Sequence, residues 1–589
     1  MKKKVFGLCL VCLIGAFLYF LLRPVPPGPE QDYYADFLPE DTVALIGLYD
    51  MEGLSEKFPG TPLGHFLSKP VMHEMMGEFG ALEQDLEKYD ALYDAIADTL
   101  TNQLFRRFFG DDAIIAFCPP DPERLQDNPE QELKRVLMVF GSSSSAGLIS
   151  RLACLFMGKE VSSSSISGLN MVQIRLEDDE MLYGYDDQGI IMLAYDPKRI
   201  VTAVEQQKSG KALRHSPLFS ATEAFWKGQE QKAGKGQMKG QVTGQMTGQV
   251  YARSYLNGLV LQELLSSFAQ ENVQNIMDDL AGIESMGALL VDERGELRLR
   301  IRGERDPELV SEDDLPEENT WNNEALVSAL VQEQTVLHYR TASFDKAFFR
   351  RLLFAEASDQ QFAALEKAIQ EEVGFSLDKF LEAVGPQAGI SIHKVVNAGV
   401  FPLPQTILAF RVQNKKGAGW ALRKLRDTLK KQGFANEHHE KAGGSRLYYW
   451  TVMPMEATHL AIVLTDTMLY IANGESQLRT LLEEQPDFEA LTGDMVKELG
   501  ETAGSCVPTA NSSAFLLRPQ RLAEQLAPVA DWLIDITEAN GSGPGKKVQK
   551  ELLTLMRSFD SISACSDRAE TYVNGELIFK PLSGEKRSN

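Results

Sequence analysis

Ile191-Met192-Leu193-Ala194 closes a run of short apolar strands, and Asp196-Pro197 then opens a helix with Ile200, Val201 and Val204. Leu469-Tyr470-Ile471-Ala472 comes 278 residues later, and Asn473-Gly474-Glu475 then opens a helix with Leu478, Leu481 and Leu482. Asp before Pro suits a helix N-cap, because proline at the first helical position lacks an N–H that would have no intrahelical partner. The same strand-to-helix step thus occurs twice, and its surroundings repeat as well.

Before the first junction come strand-like runs at Val43-Ala44-Leu45-Ile46-Gly47-Leu48, Ala113-Ile114-Ile115-Ala116-Phe117 and Val136-Leu137-Met138-Val139-Phe140. A helix is expected around 148–156. A three-strand meander follows, in which Val172, Ile174 and Leu176 alternate with polar residues. Before the second junction come Thr335-Val336-Leu337, Ala388-Gly389-Ile390-Ser391-Ile392, Ile407-Leu408-Ala409-Phe410, a helix over 420–429 and another meander from Tyr448. Gly385 follows Gly110 by 275 residues, Ala418-Gly419 follows Ala146-Gly147 by 272, and Gly575 follows Gly295 by 280. Near-constant offsets mark an internal repeat. The expected fold class is α+β: two related domains with mainly antiparallel sheets and flanking helices, after one N-terminal transmembrane helix. Antiparallel pairing follows from meander connections too short for parallel crossovers. The bland alternative is two different α+β domains sharing a strand–helix rhythm.

Lys2, Lys3 and Lys4 form a basic n-region, and residues 5–22 carry no charge and no proline. At ~1.5 Å per residue that helix is ~27 Å long, enough to cross a bilayer core. Arg23-Pro24-Val25-Pro26-Pro27-Gly28-Pro29 then makes a stiff spacer. Gly15-Ala16, the candidate cleavage site, lies inside the apolar run, so an uncleaved anchor is expected. Three lysines before the span place the N-terminus in the cytoplasm and the bulk of the chain outside a bacterial inner membrane. The expected organisation is 1–4 n-region, 5–22 anchor, 23–35 spacer, 36–304 first domain with a Gly-Gln low-complexity insertion at 227–249, 305–328 acidic linker, 329–582 second domain and 583–589 tail. From Glu304 to Glu318 there are eight acidic residues, one arginine and two prolines, the composition of a solvated connector.

The chain has 589 residues, 44% hydrophobic and 24% charged, which excludes a disordered or multi-span protein. A net charge of -24 repels phosphate, so no nucleic acid is expected as partner. Outside the apolar segment the cysteines are Cys118, Cys154, Cys506 and Cys565. An oxidising compartment would allow Cys118–Cys154 and Cys506–Cys565, while four buried thiols are the alternative.

Catalytic motifs are near misses. His73-Glu74-Met75-Met76-Gly77 has glycine where a zinc helix needs its second histidine. Gly545-Lys546-Lys547 lacks the Ser or Thr of a phosphate loop. Gly141-Ser142-Ser143-Ser144-Ser145 lacks nucleophile-elbow spacing, and Ser162 to Ser165 carry no motif. His438-His439-Glu440 is read as an exposed loop, and Asp178-Asp179-Glu180 and Asp186-Asp187 as polar hairpin tips. No catalytic, cofactor-binding or metal residue is assigned, and no cofactor is expected.

Leu38-Pro39-Glu40-Asp41-Thr42-Val43-Ala44, then Thr61-Pro62-Leu63-Gly64, together with the junction at Ala194 to Ile200 and the doubled layout, resembles bacterial envelope proteins of the domain-of-unknown-function 3352 type. The resemblance implies an exported, often membrane-tethered protein and carries over no catalytic residue; the Gly-Gln insertion departs from it. The expected role is non-catalytic binding or scaffolding, with an envelope protein or polymer as partner. The competing roles are an envelope hydrolase with widely spaced carboxylates and a chaperone-like carrier of apolar ligands.

Overall fold

The computed structural model describes residues 32–49, 51, 58–78, 81–101, 112–142, 160–176, 180–187, 190–234, 249–266, 280, 282–293, 295–310, 326–327, 330–332, 334–346, 348, 359–398, 401–434, 436–451, 453–483, 488–527 and 546–582. Residues 5–22, the expected helix at 148–156 and Cys154 lie outside them. The fold is α+β and antiparallel. The chain divides into two compact units, one of Met1–Val310 with Glu570–Asn574 and one of Ser311–Ala569 with Gly575–Asn589.

In the first unit the strands are β1 (Ala44–Leu48), β2 (Ala113–Phe117), β3 (Leu137–Ser142), β4 (Val161–Ile166), β5 (Leu169–Arg175), β6 (Met181–Asp187), β7 (Ile190–Ala194), β8 (Gln249–Asn257), β9 (Ile283–Glu293) and β10 (Glu296–Arg305). They pair in the order β10-β9-β8-β1-β2-β3-β7-β6-β5-β4. All five residues of β7 are buried, as expected of a strand covered on both faces, and this explains why its sequence reads as an unbroken apolar run. Met192 and Ala194 face a core with Phe37, Ile200, Phe219 and Trp226; Ile191 and Leu193 face a second core with Val172 and Ile174. Asp196 caps the helix Pro197–Ser209 by accepting from the Lys198 N–H at 3.0 Å. In the short helix Pro62–Phe66, Thr61 caps through the Gly64 N–H, and a Cβ on Gly64 would fall 1.8 Å from the Phe58 carbonyl oxygen. That close approach is why the Thr-Pro-Leu-Gly motif ends in glycine.

In the second unit the strands are β11 (Leu337–Thr341), β12 (Ala388–Ala398), β13 (Phe401–Arg411), β14 (Glu437–Ala442), β15 (Ser445–Trp450), β16 (Leu460–Leu464), β17 (Met468–Asn473), β18 (Ser513–Leu517), β19 (Phe559–Arg568) and β20 (Tyr572–Pro581). They pair in the order β20-β19-β18-β11-β12-β13-β17-β16-β15-β14. Position for position this is the order of the first unit. The registers also correspond. One row of the first unit joins Ile46, Ile115, Val139 and Leu193; the matching row of the second joins Tyr339, Ile390, Leu408 and Ile471. Ile174 and Trp450 are both buried, as are the helix residues Ile200 and Leu478.

Several sequence expectations are corrected. Residues 438–440 form the middle of strand β14, paired with Tyr449, Tyr448 and Leu447, and not a loop. The serine run 162–165 lies in β4, so the first meander has four strands; pairing with β5 overrides its weak β propensity. Gly295 is a turn glycine at φ 79°, whereas Gly575 lies inside β20, so these two are not equivalent. Asp32–Asp36 is a 3₁₀ helix with Tyr34 and Ala35 buried, so the last residues of the expected spacer are packed into the fold. Leu326 and Val327, expected in the linker, are fully buried, and Arg305 ends β10. The low-complexity insertion expected at 227–249 overlaps regular structure at both ends, since residues 227–234 continue the helix Pro217–Gly234 and Gln249 begins β8. Cys506 and Cys565 are bonded, with Cα atoms 6.1 Å apart, while Cys118 is a buried free thiol pushed up to about 11 by burial.

Candidate functional site

Among the described residues of the first unit, two clefts bear on function. The first, of about 500 Å³, is built by the helices Pro122–Asp127 and Pro129–Val136 against the start of β6 and Tyr195. Asp121 and Asn128 cap these helices, each followed by proline at the first helical position, so two short helices are placed end to end. Their spacing puts Lys134 and Arg135 over the meander. Arg135 holds Glu132 through two bonds, Nε to Oε2 at 2.6 Å and Nη2 to Oε1 at 2.5 Å, and reaches Asp196 at 3.3 Å. Glu132 is only 2% exposed and also accepts the Asp121 N–H at 2.7 Å. The hydrogen bonds from Arg135 hold its carboxyl below the usual range. Lys134 bridges Glu180 at 2.9 Å and Glu130 at 3.5 Å. These groups are a structural network. Glu132 stays ionised and fully bonded, which suits a brace between helix and sheet and not a general acid.

The second cleft, of about 610 Å³, is lined by Pro39, Glu40 and Asp41 from the Leu-Pro-Glu-Asp-Thr motif, by Leu259 and Val260, and by Pro217, Leu218 and Glu284 among others. The motif is held in place by backbone bonds: Leu213 N–H to the Leu38 carbonyl at 2.7 Å, and the Thr42 hydroxyl to the Pro39 carbonyl at 2.6 Å. Asn257 ends β8 and accepts the Val260 N–H at 3.2 Å, capping the helix Gly258–Ser266. A Cβ on Gly258 would fall 2.2 Å from the Ile283 carbonyl oxygen, so glycine lets this helix start flush against β9. The result leaves Leu259 46% exposed beside acidic side chains. The lining mixes apolar side chains with Glu40, Asp41, Gln206, Lys211, Ser216, Asn257 and Glu284, and such convergent polar groups are what fixes a ligand's orientation in a binding cleft.

The near-miss motifs do not assemble a site. His73 pairs with Asp90 of the helix Glu83–Thr101 at 2.6 Å, joining two helices. His438 stacks on Tyr449 with ring centroids 5.1 Å apart. Glu180 pairs with Lys134, and Lys546 begins the helix Lys546–Arg557. Asp186 and Asp187 end β6; Ser143, Asp178, Asp179 and Gly545 lie outside the described residues. Among the described residues there is no group of three or more His, Cys, Asp or Glu able to hold a metal ion, and no helix is long and apolar enough to cross a membrane. Sequence reading missed the Glu132–Arg135–Asp196 brace. Its signals were the two Asx-Pro helix starts and the i,i+3 spacing of Glu132 and Arg135.

No protein-family model and no curated protein matches the chain. A solved structure titled "Structure of crystal form III of TP0453" aligns over 49% of this chain and 84% of its own, at 9% identity and a TM-score of 0.23, a likeness that carries no argument.

Proposed function

We propose that the chain is an exported protein, tethered to a bacterial inner membrane through residues 5–22 and built of two related α+β domains, with a non-catalytic binding or scaffolding role toward an envelope protein or polymer. The observation that carries the binding role is the cleft between the Pro39–Asp41 motif and Leu259, where apolar side chains lie beside Glu40, Asp41, Glu284 and Lys211. The duplication is supported by the identical strand order and matching registers of the two units, since a one-residue slip would turn every buried side chain outward. Export is supported by the Cys506–Cys565 bond, a linkage that persists in oxidising compartments.

The test places a photo-crosslinking residue at Leu259 in cells, with Leu82, 67% exposed, as the control position. One envelope component should be captured at position 259, and capture should be lost when Asp41→Lys and Glu284→Lys are added. Equal labelling at position 82, or capture indifferent to the two lysines, would remove the cleft from the proposal.

A further inference from the structure

The second unit buries a group of basic side chains that has no counterpart in the first. His338 of β11 is completely buried, and neither ring nitrogen has a hydrogen-bond partner among the described residues. His393 lies at the bulge of β12, 4% exposed, with Nδ1 3.4 Å from the Thr335 hydroxyl and Nε2 without a partner. Arg340, two residues from His338 on β11, is also fully buried. Its guanidinium donates to the carbonyls of Val507 at 2.7 Å and Ala510 at 2.9 Å, at the end of the helix Glu501–Thr509. At the same register positions the first unit has Leu45 for His338 and Gly47 for Arg340, while Cys118 follows β2 as His393 follows the paired residues of β12.

We propose that His338, His393 and Arg340 form an acid-sensitive latch between the sheet of the second unit and the helix Glu501–Thr509. At neutral pH the imidazoles are uncharged, and the buried guanidinium holds the helix end. A proton on either ring would place a second cation in an apolar layer with Val327, Val507, Ala514 and Leu516, where a buried charge needs a counterion. The charges around the group do not supply one to His338, which feels Arg340 and His393. Asp567 of β19 acts on Arg340, and its carboxylate accepts the Asn511 N–H. Lys394 of β12 adds positive charge near His393. Beyond β18, Arg518 and Arg521 share Glu498, while Lys580 of β20 bonds the Glu498 carbonyl and pairs with Asp560. The Cys506–Cys565 bond ties the helix to β19, so the helix can release β11 without leaving the unit.

Burial pulls His338 down to about 3 and His393 to about 4. Their folded values lie below the ordinary ~6.5, so the open state takes up protons first as pH falls, and closure weakens from about pH 6.5 downward. Between pH 7.5 and 4.5 the closed-to-open ratio should fall about 100-fold through His338 alone. Hydrogen exchange of the full chain at both pH values, corrected for intrinsic rates, reads this at the helix Glu501–Thr509 and at β11. Wild type should lose well over 100-fold protection there in acid, since His393 adds a factor of similar size, with β1 of the first unit unchanged. His338→Leu, which copies Leu45, should shrink that loss by about 100-fold and leave the part due to His393, and His338→Phe serves if the leucine variant misfolds. Equal protection at both pH values, or the same loss in the folded variant, would overturn the latch.

Discussion

A single carboxylate shows how side chains tie the first unit together. Glu132 is buried against Arg135 and the Asp121 N–H, and Arg135 extends the link to Asp196, which caps the next helix. Glu132→Gln should cost about 2 kcal/mol at neutral pH, the scale of hydrogen bonds to a charged group lost from one buried partner. Its pH dependence carries the sign. A carboxyl held below its unfolded value stabilises above that value, ~4.3, and the gain disappears as pH falls through the lowered folded value. Urea titrations should therefore separate wild type from the variant above about pH 5 and merge them in strong acid; a gap that stays constant across the range would assign Glu132 a packing role only. The Glu132–Arg135 pair had a local signal in its i,i+3 spacing, but nothing local tells that Arg135 meets Asp196 across 61 positions. Asp196 as a helix cap was legible, since capping is decided within a few residues.

Elements were legible where burial made their pattern regular. β7 and β17 announce themselves because they are covered on both faces. β4 and β14 do not, because Val161–Ile166 and Glu437–Ala442 are largely exposed and take their strand form from β5 and β15. The helix Glu501–Thr509 is a third case. It has Pro508 near its end, and it is fastened by Arg340 and by the disulfide. The bond closes a loop with a sequence separation of 59, for which the chain-entropy model gives about 4 kcal/mol. The double substitution Cys506→Ser, Cys565→Ser should lower the stability of the second unit by 2–4 kcal/mol, about that model's size. Exchange protection should fall in β18 and β19 and be retained in β1 and β2. An unchanged second unit would mean that apolar packing alone holds the helix.

At the scale of the whole molecule the decisive quantity is which side of a membrane the chain folds on. A repeated ten-strand order says nothing about compartment, whereas the covalent state of Cys506 and Cys565 measured in cells would, because cytosolic thiols are kept reduced. Residues 5–22 carry no charge and follow three lysines, and as a helix they would measure ~27 Å, the length on which the proposed anchor rests. The two features make one joint prediction. In a Gram-negative host the full chain should stay with membranes through a carbonate wash and keep residues 5–22. Its Cys506 and Cys565 should resist alkylation until reduced. Deleting residues 5–22 should release the chain to the soluble fraction and leave both thiols open to alkylation, because the oxidising machinery acts only outside. A mature chain starting after residue 16 would replace the anchor with a cleaved signal. Free thiols in the membrane-bound wild type would place the two units on the cytoplasmic side, and the proposed envelope partner would then have no access to the Leu259 cleft.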